Sequence, residues 1–439
     1  MSAEAQLEAF LDIISSSARR AIAEYKKAGN SIPTINSTEF HPLDSAIDTV
    51  ELKKAIRLLE GTCQQLCASL APPQHTIVNL AKCFDWACLG IAHRKRIADV
   101  LDKHLKGLHV NKLSQVVGLD DDQLARVLRF LGSKGCFSEV DKDVFANNRL
   151  SLVTKNTNNT GCLIYRITVS PAGPESTYHT CASEAQGDGR KLLRFIDISP
   201  CLYLISQVPS QFFKSEQEQI FHKAMIGVGE VTGSLSIIYQ YPWNGVSTVC
   251  DIGCSIGTFG IPLAKAHRHL KITNQDLENV IIEAREAMRL QAWGNEAQDV
   301  LQEQRVDFVA LNFLEEALVS GKDVYYLRFI LHDWPDTEVL IILRNLRKAM
   351  GPHSRLLIHE HVLIDTYHSD PTEDVGIDVP PEPMLPNFGA GSANLYSTDL
   401  GMLVLNNGKE LSTLAATAGL RFERAYDFGC TVVLEFSLA

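Results

Sequence analysis

Apolar positions near the start of the chain recur at helical spacing. Leu7, Phe10, Leu11, Ile14, Ala18, Ala21 and Ile22 share one side of a stretch from 3 to 28. The polar, proline-broken segment GNSIPTINSTEFHP ends that helix. A second helical pattern over about 44–69 stops at Ala71-Pro72-Pro73. The pair presents a broad apolar side with no partner evident in the chain, which predicts that it covers another subunit or domain.

From about 75 to 150 the pattern shortens. KLSQVVGLDDDQLARVLRFLGSKGCFSEVDKDVFANNRLSLV reads as a short helix, a turn at Gly118, a helix opened by acidic residues and a two-stranded wing, together a winged helix. Residues 151–215 show weak periodicity and predict little. After about 216 helix-length segments alternate with apolar runs: TVCDIG, KITNQD, VDFVAL, DVYYLRFIL and SRLLIHEHVL. Such alternation predicts a mostly parallel, doubly wound sheet covered on both faces, with ERAYDF and TVVLEFSL added as an edge hairpin.

Charge narrows the use of the winged helix. The 439-residue chain carries a formal net charge of −11. Asp120, Asp121 and Asp122 open the would-be recognition helix, where they suit the helix dipole and repel phosphates. Nucleic acid is therefore not an expected partner. Eleven scattered cysteines without metal-ligand spacing predict free thiols in a reducing, cytoplasmic setting. The N-terminal stretch begins with acid and is too short in apolar residues for a signal peptide or a membrane span.

Candidate chemistry starts at DIGCSIGTFG, residues 251–260. Asp251 ends a strand, and Gly253 and Gly257 permit close backbone approach in the loop that follows. Asp276 ends the next strand, where a carboxylate can accept both hydroxyls of a ribose. No lysine followed by serine or threonine lies in the loop, which argues against a triphosphate. His332, in LHDWPD, follows an apolar strand at the carboxyl end where ligands bind in such sheets. Taken alone it reads first as a capping or solvated histidine at a strand end, and otherwise as a general base for a hydroxyl whose pKa lies near 10.

From about residue 75 onward the chain resembles the fungal and plant small-molecule O-methyltransferases that use S-adenosylmethionine. The resemblance is most specific in LRFILHDWPD and NFGAGSANLYSTDLGMLVLNNGKE. It implies an α/β fold: a Rossmann-like, doubly wound sheet of the class I methyltransferase type with an N-terminal helical, winged-helix dimerisation domain. The changes of pattern along the chain divide it into 1–74 for the helical segment, 75–150 for the winged helix, 151–215 for a connection and 216–439 for the catalytic domain. S-adenosylmethionine is the implied cofactor and S-adenosylhomocysteine its product, held by Asp251, Gly253, Gly257, Asp276, Leu277, Asn312, Phe313, Arg328 and Trp334.

The same resemblance makes His332 the base, flanked and oriented by Glu360 and Glu410. Phe221, Met225, Asp333, Met402 and Asn406 fall toward a phenolic, enolic or polyketide-type small molecule. It implies no metal, and a homodimer formed through the N-terminal region. Two departures stand out. Cys254 and Ser255 replace the second and third glycines of the family loop, a change that is harmless only if their φ angles are negative. Asn312 stands where an aspartate near the adenine is common; its amide oxygen can still accept from the adenine amino group. Some relatives on this fold catalyse dehydrations or pericyclic closures with the cofactor bound but unconsumed, or absent. That alternative and a winged-helix regulator stand beside the methyltransferase reading.

Overall fold

Helix α1 (Ala3–Ala28) forms where the apolar spacing predicts it. Ser2 caps it by accepting from the Ala5 N–H at 3.2 Å, and Lys26 and Lys27 occupy its last turn. The computed structural model describes residues 1–29, 31–81, 84–168, 215–289, 300, 303–364, 366, 376–393, 395–396 and 411–439. Among them no helix is long and apolar enough to cross a membrane.

Two compact units result: Met1–Ile47 with Thr62–Val231, and Asp48–Gly61 with Thr232–Ala439. The units do not follow linear cuts at 74/75 and 215/216. Helix α2 (Val50–Leu70) begins inside the second unit, where Val50 joins the sheet's core. A helical period reports which face is apolar, not which unit buries it.

The first unit contains the winged helix. Helix α4 (Val110–Val117) closes at Gly118, whose φ of 66° suits a left-handed cap. Helix α5 (Asp121–Ser133) starts at Asp120, which accepts from the Gln123 N–H at 3.0 Å. The three aspartates thus serve the helix itself. Strands β1 (Leu108–His109), β2 (Ser138–Asp141) and β3 (Val144–Ala146) form an antiparallel sheet in the order β1-β3-β2. Leu113, Leu124, Leu128 and Phe145 fill the core beneath it. Between α2 and α4, helix α3 (Pro73–Leu80) buries none of its residues, all of them described.

The second unit is built on a seven-stranded sheet in the order β6-β5-β4-β7-β8-β10-β9. Strands β4 (Thr248–Ile252), β5 (Lys271–Asp276), β6 (Val306–Ala310), β7 (Val324–Arg328) and β8 (Arg355–Glu360) run parallel. The hairpin of β9 (Leu420–Asp427) and β10 (Val432–Leu438) joins antiparallel to β8. Apolar clusters cover both faces. Val249, Phe259, Tyr326 and Leu357 belong to one; Ile252, Leu327, Leu343 and Ile358 belong to the other. Strand order reverses between β4 and β7, so a crevice for ligand opens beyond their carboxyl ends. Asp251, Arg328 and the loop carrying His332 end there.

Candidate active site

The loop after β4 turns with Gly253 at φ 70° and Gly257 at φ 86°. Gly253 is doubly required: a Cβ there would lie 2.3 Å from Ile330 Cδ1. Cys254 keeps a negative φ, but Ser255 adopts φ 52°. The condition for a harmless exchange is therefore met at one of the two replaced glycines and not at the other, because the turn needs a left-handed residue at 255. The Ser255 N–H donates to Asp276 Oδ2 at 2.8 Å, while the Leu277 N–H donates to Asp276 Oδ1 at 2.8 Å. These bonds fix the carboxylate at the end of β5.

Asp251 is buried, and its Oδ2 has no partner among the described residues. Burial pushes its carboxyl up to about 7; Arg328 opposes that shift and Asp276 adds to it. Arg328 donates to Thr258 Oγ1 at 2.7 Å and to Ser234 Oγ at 3.2 Å, which braces β7 against the loop. Phe313 and Trp334 meet edge to face with ring centroids 5.6 Å apart. Asn312 uses its amide oxygen locally, accepting from the Leu314 N–H at 3.1 Å. A backbone amide thus already occupies one of the lone pairs expected for adenine, and the second remains.

Orphaned polar atoms at Asp251 and Ser255, together with the close approach at Gly253, fit a nucleoside-type group. Asp276 could take a ribose there, and the Phe313–Trp334 pair could flank a flat base.

The His332 cluster forms beyond β7. Phe329 takes φ 56°, an uncommon angle for a bulky residue, and its N–H donates to the His359 carbonyl at 3.1 Å. This bend turns the Ile330 and Leu331 N–H groups onto Glu360 Oε1, each at 3.1 Å. Glu360 Oε2 then meets His332 Nδ1 at 2.8 Å. Burial raises the Glu360 carboxyl, but His332, His361 and the Leu331 N–H outweigh it and hold the group below its ordinary range. An ionised carboxylate only accepts, so Nδ1 carries a proton and donates it to Glu360. Asp333 Oδ1 lies 3.5 Å from His332 Nε2.

His359 alternates away from Glu360, as expected of neighbours on a strand. It bonds Tyr326 Oη at 2.7 Å through Nδ1 and Thr431 Oγ1 at 2.8 Å through Nε2. Burial drives its pKa far down, so it stays neutral within the sheet. His361 Nδ1 meets the Cys430 carbonyl at 3.1 Å and stacks on Phe329.

Glu410, Met402 and Asn406 lie outside the described residues, as does the side chain of Phe221. Met225 is half-buried on the helix Ser215–Thr232. Sequence reasoning missed the left-handed Phe329 and the bracing pair Thr258 and Ser234. Nothing in residue type marks them, since each acts through backbone shape or a partner distant in the chain.

An O-methyltransferase domain profile matches residues 210–414. The 3-O-methyltransferase 2 of Phanerochaete chrysosporium is 34% identical over 449 residues, spanning 99% of this chain and 98% of that one. Among solved structures, the mitomycin 7-O-methyltransferase MmcR aligns with a TM-score of 0.59 at 23% identity, over 84% of this chain and 98% of that one. NcsB1, an O-methyltransferase from neocarzinostatin biosynthesis, aligns with a TM-score of 0.54 at 22% identity, over 82% of this chain and 98% of its own. That protein was solved with S-adenosylmethionine and 2-hydroxy-5-methyl naphthoic acid.

Proposed function

The chain belongs to the O-methyltransferase family, and from that premise we propose that His332 deprotonates a phenolic or enolic hydroxyl of a small natural product for methylation. The observation that carries this reading is the His332–Glu360 pair, 2.8 Å apart at the carboxyl end of β7. S-adenosylmethionine, when bound, supplies an electrophilic methyl group.

The chain's own residues do the rest. Asp276 and the Gly253–Gly257 loop hold the nucleoside, and Phe313 with Trp334 flank the base. Glu360 holds His332 through Nδ1, so that Nε2 is the ring nitrogen that takes the acceptor's proton, and stabilises the imidazolium that forms. Asp333, 3.5 Å from Nε2, becomes attractive once that proton arrives. Glu410 is assigned as a second orienting carboxylate. Phe221, Met225, Met402 and Asn406 are assigned to the acceptor.

Replacing His332 with alanine tests the assignment. Turnover on a phenol should fall about a hundredfold to ten-thousandfold, while calorimetric affinity for S-adenosylhomocysteine stays near the native value. A near-native rate would remove His332 from the chemistry. Mass spectrometry of the native product should show an added methyl group; a product of unchanged mass points to cyclisation or dehydration instead.

The protein is assigned to the cytoplasm, consistent with free thiols such as the exposed Cys63 and Cys67. A homodimer is assigned through the first unit. There α3 leaves Ile77 65%, Val78 57% and Leu80 69% exposed, an apolar strip that water does not favour.

A further inference from the structure

Phe329 is the strained residue beside the His332–Glu360 pair. Its φ of 56° is costly for a bulky side chain and persists only where the surroundings impose it. The bend has a specific consequence: the next two N–H groups, of Ile330 and Leu331, reach Glu360 Oε1 at 3.1 Å each. Whatever holds Phe329 therefore also aims the carboxylate that meets His332.

Two histidine rings lie against it. Glu360 faces His332, while its neighbours His359 and His361 both pack on Phe329, as alternation along a strand requires. The Phe329 ring stacks on His361 with centroids 5.2 Å apart and planes 22° from parallel, and meets His359 at 5.9 Å and 39°. Both histidines are tethered to the β9–β10 turn, His359 Nε2 to Thr431 Oγ1 at 2.8 Å and His361 Nδ1 to the Cys430 carbonyl at 3.1 Å. The Phe428 N–H closes that turn by donating to the Thr431 carbonyl at 2.9 Å.

The two histidines differ in what else they do. His359 is wholly buried and also bonds Tyr326, so it belongs to the sheet's interior. His361 is half-buried just past the end of β8, and among the described residues its hydrogen bond goes to the turn and its ring contact to Phe329. A carbonyl only accepts, so His361 Nδ1 carries a proton there. Burial holds its pKa below the ordinary range, with the Cys430 carbonyl and Glu360 opposing, so the ring offers Phe329 a neutral face. The strain of a left-handed bulky residue and the worth of one aromatic contact are of the same order, so loss of one ring is enough to release the bend.

We propose that His361 is a positioning residue for proton removal: anchored to the β9–β10 turn, its ring keeps Phe329 bent so that the Ile330 and Leu331 N–H groups hold Glu360 against His332. The inference goes beyond the assignment of His332 as the base and rests on it.

Proton NMR of the full-length protein carrying isotope-labelled histidine tests it without any acceptor. A ring proton held in a short bond to a carboxylate resonates far downfield, and the His332 signal is the one that H332Q lacks. H361F keeps an aromatic face and drops the bond to the turn; H361N keeps a donor for the Cys430 carbonyl and drops the ring. The His332 signal should persist in H361F and be lost or moved upfield in H361N, while calorimetric affinity for S-adenosylhomocysteine stays near native in both. H361L, with neither ring nor donor, should repeat H361N and replaces it if that variant does not fold. The His359 signals should stay in place throughout, and a variant that shifts them together with His332 overturns the proposal in favour of general loosening. An unmoved His332 signal in H361N or H361L removes this inference alone, and its loss in H361F removes the aromatic face as the link. If the native protein shows no such signal, the His332–Glu360 pair itself falls and takes the inference with it.

Discussion

Asp251 and Glu360 are both carboxylates at the ends of buried strands, yet their surroundings push them in opposite directions. Glu360 faces His332 and two N–H groups and stays ionised. Asp251 has one oxygen without a partner, and burial raises it to about 7. The unfolded value for Asp251 is 3.8, so the folded state favours its protonated form. Its contribution to stability is therefore fully present below that value and is lost as pH rises through about 7. The native chain should lose about 3 kcal/mol between pH 5 and pH 8 from this group, and D251N should not. Denaturant unfolding of both proteins at the two pH values reads the difference; parallel losses would mean that Asp251 does not titrate there. For Glu360, the isosteric E360Q removes the acceptor-only partner that dictates the His332 tautomer. Rates on a phenol should drop about a hundredfold to ten-thousandfold while affinity for S-adenosylhomocysteine holds. An unchanged rate would make the pair structural.

At the scale of elements, the first half of α2 behaves as part of the catalytic unit. Arg57, 6% exposed at its side chain, meets Asp427 Oδ2 at 3.0 Å and the Gly429 carbonyl at 2.9 Å. It also meets Asp378 Oδ2 at 3.2 Å, and its guanidinium lies 3.9 Å from the Phe388 ring centroid. One side chain thereby joins a helix, the β9–β10 turn and the segment 376–391. The helix backbone is close as well, since a Cβ on Gly391 would lie 2.0 Å from the Arg57 carbonyl. Removing one member of a buried ion pair strands the other charge. R57M should cost about 3–5 kcal/mol in unfolding experiments, and adding D427N should restore much of that. A double variant as unstable as R57M would indicate that packing against Phe388, not the charge, dominates. No sequence pattern announces this contact, because Arg57 and Asp427 lie at opposite ends of the chain and an arginine in a helix reads as solvated.

For the whole molecule, the proposed homodimer would draw on apolar surface of the first unit. Helix α1 buries Phe10 and Ala21 but leaves Leu11 and Ile22 exposed, and α3 exposes Ile77, Val78 and Leu80. Light scattering at micromolar concentration should give twice the chain mass for the native protein and the single-chain mass for the double variant I77D/L80D. A native protein that scatters as one chain rejects the dimer.

Much of this was legible without coordinates. Periods of 3.6 and 2 locate α1, the winged helix and the strands, because a face must be apolar wherever it meets a core. Loop composition and strand ends bring Asp251, Asp276, His332 and Glu360 to the same edge of the sheet, since a parallel sheet places all its carboxyl ends together. Tertiary structure alone decided the rest. The sign of φ at Ser255 and Phe329, the tautomer of His332, the protonation of Asp251 and the unit to which Arg57 belongs all depend on neighbours distant in the chain. Burial and partner geometry, which set those properties, exist only once the strands are packed.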